Sequence, residues 1–184
     1  MLSAIGILVL AGCGNDENPQ PAGTTTNQTT NEAAAMPGGS TRPKIVESSK
    51  TESALLTDVQ VGHHPSFDRV VFEFRNTLPG YDVRYVGRPY HQDPSDRVLK
   101  VAGRYLLQVV MHIASDADLS RGSVSRTYTG PNRLEPHMPQ IAEVVGAGGF
   151  EGVLTWLVGL NHRTAFRVNE LDHPPRLVVD AQLP

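Results

Sequence analysis

Cys13 is the only thiol in the 184 residues, and it directly follows two small residues, Ala11 and Gly12. A cysteine sulfur is a strong nucleophile, and small neighbours let a peptidase close on the backbone beside it. The chemistry open to this position is acceptance of a diacylglyceryl group as a thioether, with cleavage before Cys13. Other reactive residue types do not converge. The seven histidines (His63, His64, His91, His112, His137, His162 and His173) include no His-Glu-x-x-His pair of the kind that holds zinc on one helix face. His63 and His64 are adjacent, so in extended chain they point to opposite sides and read as turn residues. Ser123 lies outside any Gly-x-Ser-x-Gly elbow. The sequence therefore points to no catalytic residue, no metal and no cofactor. A hydrolase assembled from scattered Ser, His and Asp would declare itself by geometry alone.

Non-covalent chemistry is better supplied. Asp68-Arg69 and Asp82-Val83-Arg84 place guanidinium groups where they could take carboxylates two-pronged. The same residues could equally form cross-strand charge pairs on a solvated face. Tyr81, Tyr85, Tyr90 and Trp156 could offer flat rings to sugars, although Trp156 sits in the apolar run from Val153 to Leu160 and reads as core. Tyr90, in the polar loop from Gly87 to Asp96, is the aromatic expected to be exposed, and that loop is the expected recognition edge. Tyr90, Arg69 and Arg84 are the ligand-binding candidates.

Three stretches must position these groups. The apolar run Ile5-Gly6-Ile7-Leu8-Val9-Leu10 is far shorter than the ~20 residues a membrane-spanning helix needs, so it reads as the apolar part of a signal peptide. With Leu10-Ala11-Gly12-Cys13 behind it, this segment resembles a bacterial lipoprotein signal, which implies acylation of Cys13. Met1-Leu2-Ser3 lacks the usual positive charge, which suggests a signal truncated at its start. Residues 1–12 are thus expected to be a signal peptide and residues 13–50 a lipidated N-terminus and disordered linker. The linker is rich in Asn, Thr, Gly and Pro and cannot repay its ordering entropy. As a coil it would reach roughly 35 Å. Residues 51–184 are the expected folded domain. Formal net charge is −3, with 16 Lys+Arg against 19 Asp+Glu and no long basic run, which argues against a nucleic-acid partner.

Within the domain the apolar period is two. In Phe67–Arg75, Val70, Phe72 and Phe74 share one face while Val71, Glu73 and Arg75 share the other. Weaker alternation marks Leu55–Val61, Tyr81–Val86, Val98–Val101, Leu106–Ile113, Ile141–Val145, Val153–Leu160, Ala165–Val168 and Arg176–Ala181. Between them stand turn signals such as Leu78-Pro79-Gly80 and Gly146-Ala147-Gly148-Gly149, and only Ser115–Leu119 suggests a short helical turn. Eight or nine short strands without intervening helices predict an all-β, antiparallel β-sandwich. A faint internal echo links the segment from His64 to Glu73 with that from His173 to Asp180: each is a loop, an arginine, three apolar residues and an acid.

The blocks from Leu56 to Phe74 and from Leu78 to Val86 resemble the AMIN-like domain of actinobacterial lipoproteins. So do Thr127-Tyr128-Thr129-Gly130-Pro131, Phe150–Trp156, Phe166-Arg167-Val168 and Pro174–Asp180. The resemblance implies a β-sandwich akin to AMIN modules, which accompany cell-wall amidases and secretion-pore proteins and bind peptidoglycan or other envelope components. It supplies no binding residues to carry over. The expectation is a membrane-anchored protein on the extracytoplasmic side whose non-catalytic domain binds a cell-envelope component, peptidoglycan foremost. A scaffolding lipoprotein docking an envelope protein and an unrecognised hydrolase are the alternatives.

Overall fold

The computed structural model of the chain describes residues 35–120 and 122–184. The expected signal peptide, the expected acylation of Cys13 and most of the expected linker lie outside the described residues. Among the described residues there is no helix; fifteen strands follow one another in the chain. They are β1 (Lys44–Val46), β2 (Ala54–His63), β3 (Phe67–Arg75), β4 (Gly80–Val86), β5 (Tyr90–Gln92), β6 (Arg97–Leu99), β7 (Tyr105–His112), β8 (Ala114–Ser115), β9 (Ala117–Asp118), β10 (Ser125–Arg126), β11 (Arg133–Leu134), β12 (Ile141–Phe150), β13 (Val153–Leu160), β14 (Phe166–Asp172) and β15 (Pro175–Gln182). Eight of them run seven residues or longer and form the body of the sandwich.

One sheet has the order β1-β4-β7-β13-β12-β11 and the other β14-β15-β3-β2-β8, with β5-β6 and β9-β10 as separate ribbons. All pairings are antiparallel except β2 with β8. The alternation read in β3 is realised: Val70, Phe72 and Phe74 are buried, as are Leu177 and Val179 of β15 beside them. Across the interface stand Val83, Val109, Met111, Val158 and Trp156. Trp156 is core, as its apolar run predicted, with the Phe72 and Tyr128 rings edge-on at 5.8 and 5.6 Å.

Two polar ties pin the sheets together. Asp68, fully buried, accepts the backbone N–H groups of Gln140 and Ile141 at 2.7 and 2.9 Å, and its other oxygen contacts His63 Nδ1 at 2.6 Å. The Tyr81 hydroxyl on β4 donates to Glu170 on β14 at 2.9 Å. Burial and this bond push the Tyr81 ionisation well above the ordinary tyrosine range.

Four local expectations are corrected. Ser115–Leu119 is not helical: Ser115 pairs beside β2 and Ala117–Asp118 pairs with β10, so tertiary pairing overrides a weak local signal. The strand expected at Val98–Val101 is Arg97–Leu99. The glycine run after Val145 does not end β12, which continues to Phe150 through a register shift between Gly146 and Gly148. Gly148 has φ +107°, a conformation open to glycine, so the run is a bulge inside a strand. The linker was expected to reach residue 50, yet β1 pairs with β4, and Ser40 exchanges backbone hydrogen bonds of 2.9 Å with Phe166. Open strand edges accept backbone regardless of side-chain polarity, so polar composition did not reveal this strap. Glu32–Pro184 forms one compact unit. With both sheets and their core inside it, the unit has what independent folding requires.

Candidate functional site

The sandwich offers two outer faces, and the sequence candidates divide between them. On the six-stranded sheet, Leu106, Val145, Ala147 and Leu157 turn outward and would leave an apolar patch in water. Residues 87–104, which contain the β5-β6 ribbon, fold over them, and Tyr90, Leu99 and Val101 complete a second, smaller core. Glu143 secures this roof, accepting the Ala102 N–H at 2.6 Å and pairing with Arg133. Tyr90 is therefore half-buried, which corrects its expected exposure at a free loop edge. Its hydroxyl accepts a bond of 3.1 Å from Gln108 Nε2, and burial pushes its ionisation up.

Gln108 is the cross-strand neighbour of Arg84, so Tyr90, Gln108 and Arg84 form a continuous strip. The Arg84 guanidinium is held on one side by Asp82, with Nε at 2.8 Å, which raises its ionisation further. Its Nη2 donates to the second Asp82 oxygen, so Asp82 takes the fork two-pronged and the charge pair is realised within β4, while the Arg84 side chain stays partly exposed. Beside the strip a cleft of about 330 Å³ is lined by Tyr90, Asp93, Gly148, Phe150, Glu151 and Thr155. Aromatic rings and two carboxylates in the cleft, with the Gln108 amide bonded to the Tyr90 that lines it, suit a polar, hydroxyl-rich or peptidic ligand.

Arg69 sits on the opposite outer face. The echoed segments pair directly: Arg69 lies opposite Asp180, Phe72 opposite Leu177 and Glu73 opposite Arg176. Asp180, with no exposed surface, accepts Arg69 Nε and Nη2 at 2.6 and 3.1 Å and Arg167 Nη2 at 2.7 Å. The two guanidinium groups also lie 5.0 and 5.7 Å from the Phe67 ring, on which His64 stacks. Arg69 is thus paired, and its partner is Asp180, since Asp68 points inward. Arg167 was not picked out as a site residue, although it stands in one of the blocks that carried the resemblance. Among the described residues no group of three or more His, Cys, Asp or Glu could hold a metal ion.

The described residues thus define the class: an all-β, two-sheet sandwich. The family model of the AMIN-like domain matches residues 54–182. The chain belongs to that family. No curated protein and no solved structure matches it.

Proposed function

We propose that this chain is a lipid-anchored, extracytoplasmic protein whose β-sandwich binds peptidoglycan without turning it over. The observation that carries the reading is the Tyr90–Gln108–Arg84 strip beside its cleft: a ring edge for sugar, and the partly exposed Arg84 guanidinium, seated on Asp82, as a cation for the carboxylates of stem peptides. Membership of a family related to envelope-binding modules supports it. The anchor is Cys13, with residues between it and Met36 as the tether.

Sedimentation of the Glu32–Pro184 unit with purified peptidoglycan at two salt concentrations tests the binding. Saturable pelleting beyond an unrelated β-sandwich of similar charge, lost in Tyr90→Ala/Arg84→Ala, is expected. Pelleting indistinguishable from the control would turn the assignment to an envelope protein partner. For the anchor, Cys13→Ser is expected to shift the full chain from the membrane to the soluble fraction.

A further inference from the structure

The chain enters the folded unit at one corner, and that corner is positively charged. Met36 is buried there, its N–H bonded to Gln182 Oε1 at 3.3 Å, and Arg167 Nη1 donates to Pro37 O at 3.2 Å. The strap then runs along β14, where Arg42, Lys44 and Arg167 line one shallow cleft. Arg69 shares Asp180 and the Phe67 ring with Arg167. Arg163 lies 4.2 Å over the Tyr85 ring, whose edge meets Phe166 of β14. Arg69 and Arg167 cover the fully buried Asp180, Arg42 and Lys44 of the strap stand beside Arg167, and Arg163 lies on the connection that leads into β14. At the far end of the same edge strands the sign reverses. There Glu47, Glu170 and Asp172 line a cleft in which Lys50 is the one Lys or Arg among the described lining residues. The unit therefore carries a charge gradient along β1 and β14, with its positive end where the tether arrives.

We propose that this corner is a docking surface for an anionic membrane, read through the phosphodiester headgroups of phosphatidylglycerol-type lipids. The inference rests on the lipid-anchored reading above. Cys13 and Met36 lie 23 residues apart (36 − 13), a length that, with the coil character expected from its composition, would give a typical reach of roughly 25 Å. Because the tether ends at the positive corner, that corner meets the membrane before the acidic end does. Arginine forks match phosphate oxygens, and tethering raises the local concentration enough for a weak contact to be occupied. Surface charges act over only about 8 Å at physiological salt, so the contact needs the corner itself at the headgroups. Held this way, the domain has one preferred orientation on the membrane.

The test uses the acyl-free Glu32–Pro184 unit and sedimentable vesicles of phosphatidylcholine with or without phosphatidylglycerol. Its result is therefore independent of acylation and of the peptidoglycan assay. Expected is partition onto the anionic vesicles alone, weakened by salt. Each Lys or Arg contributes on the order of fivefold near such a surface, so Arg42→Glu/Lys44→Glu lowers partition by tenfold or more. Both residues are exposed and the change leaves the core untouched. Lys50→Glu, at the acidic end, leaves partition unchanged. An equal loss in Lys50→Glu would mean that net charge alone governs binding and would overturn the assignment of the corner. No partition onto anionic vesicles at low salt also overturns it. If Arg42→Glu/Lys44→Glu instead abolishes retention on purified wall while vesicles are ignored, the partner is a wall polyanion and the membrane is excluded.

Discussion

The two outer faces of this sandwich keep water from their sheets by different means. On the five-stranded sheet a fully buried carboxylate, Asp180, is covered by Arg69 and Arg167, whose forks cap it directly. On the six-stranded sheet apolar residues turn outward and a long connection, residues 87–104, is spent roofing them. The charged face needs a specific register, because one displaced strand leaves a buried charge unpaired. The roofed face needs only apolar area and a cover of about the right size. The difference shows that outward-facing positions here are not a neutral background: one face is fixed by pairing, the other by packing, and the candidate ligand strip borders the packed one.

Leu157→Ala tests the roofed face most severely. This side chain has no exposed surface, so its loss is expected to lower the unfolding free energy by about 3 kcal/mol in urea titration. An effect near zero would mean the roof lifts freely. Asp180→Ala probes the other face; removing a buried partner costs about 3–5 kcal/mol in full burial, and partial solvation of both arginines reduces the expected loss to about 2 kcal/mol. Adding Arg69→Ala to that variant should cost less than Arg69→Ala alone, and simple additivity would show that the pair is not coupled.

Alkaline pH distinguishes core from roof more gently. Burial raises the ionisation of Tyr81, Tyr85, Tyr90 and Tyr128 above the ordinary value, so the folded state holds them neutral where the unfolded chain ionises. Stability from these groups is complete below the unfolded tyrosine value of about 10 and falls as pH rises beyond it. Chemical unfolding followed across that range should show the decline, and Tyr81→Phe should flatten it more than Tyr90→Phe. At neutral pH, Tyr90→Phe removes one neutral hydrogen bond to Gln108 and is expected to cost about 1 kcal/mol. Arg84→Ala should leave the unfolding midpoint where it is while weakening retention on peptidoglycan; a shifted midpoint with intact retention would make Arg84 a structural residue.

Much of the architecture was legible because alternation is local. The burial of Val70, Phe72, Phe74 and Trp156 follows from period and composition, and so does the two-sheet class. The glycine run after Val145 misled because glycine marks a bulge as readily as a turn, and only the partner strand distinguishes them. The strap from Met36 was hidden for a related reason: backbone hydrogen bonding to an open edge leaves no side-chain signature. Of the candidate site, Tyr90 and Arg84 come together through Gln108, a residue with no signal of its own in the sequence.

By itself the sequence determined the apolar run that precedes Cys13, the polar composition that follows it, the β-rich domain and the faces of its main strands, since each depends on residues adjacent or two apart. Tertiary structure decided which acid serves which arginine. Asp68 and Asp180 are equivalent by type, yet Asp68 turns inward to join the sheets, while Asp180 meets Arg69 across 111 positions of chain. It also decided that the loop bearing Tyr90 is a roof. Both outcomes depend on register and on what a neighbouring sheet leaves uncovered, quantities that exist only once distant segments have met.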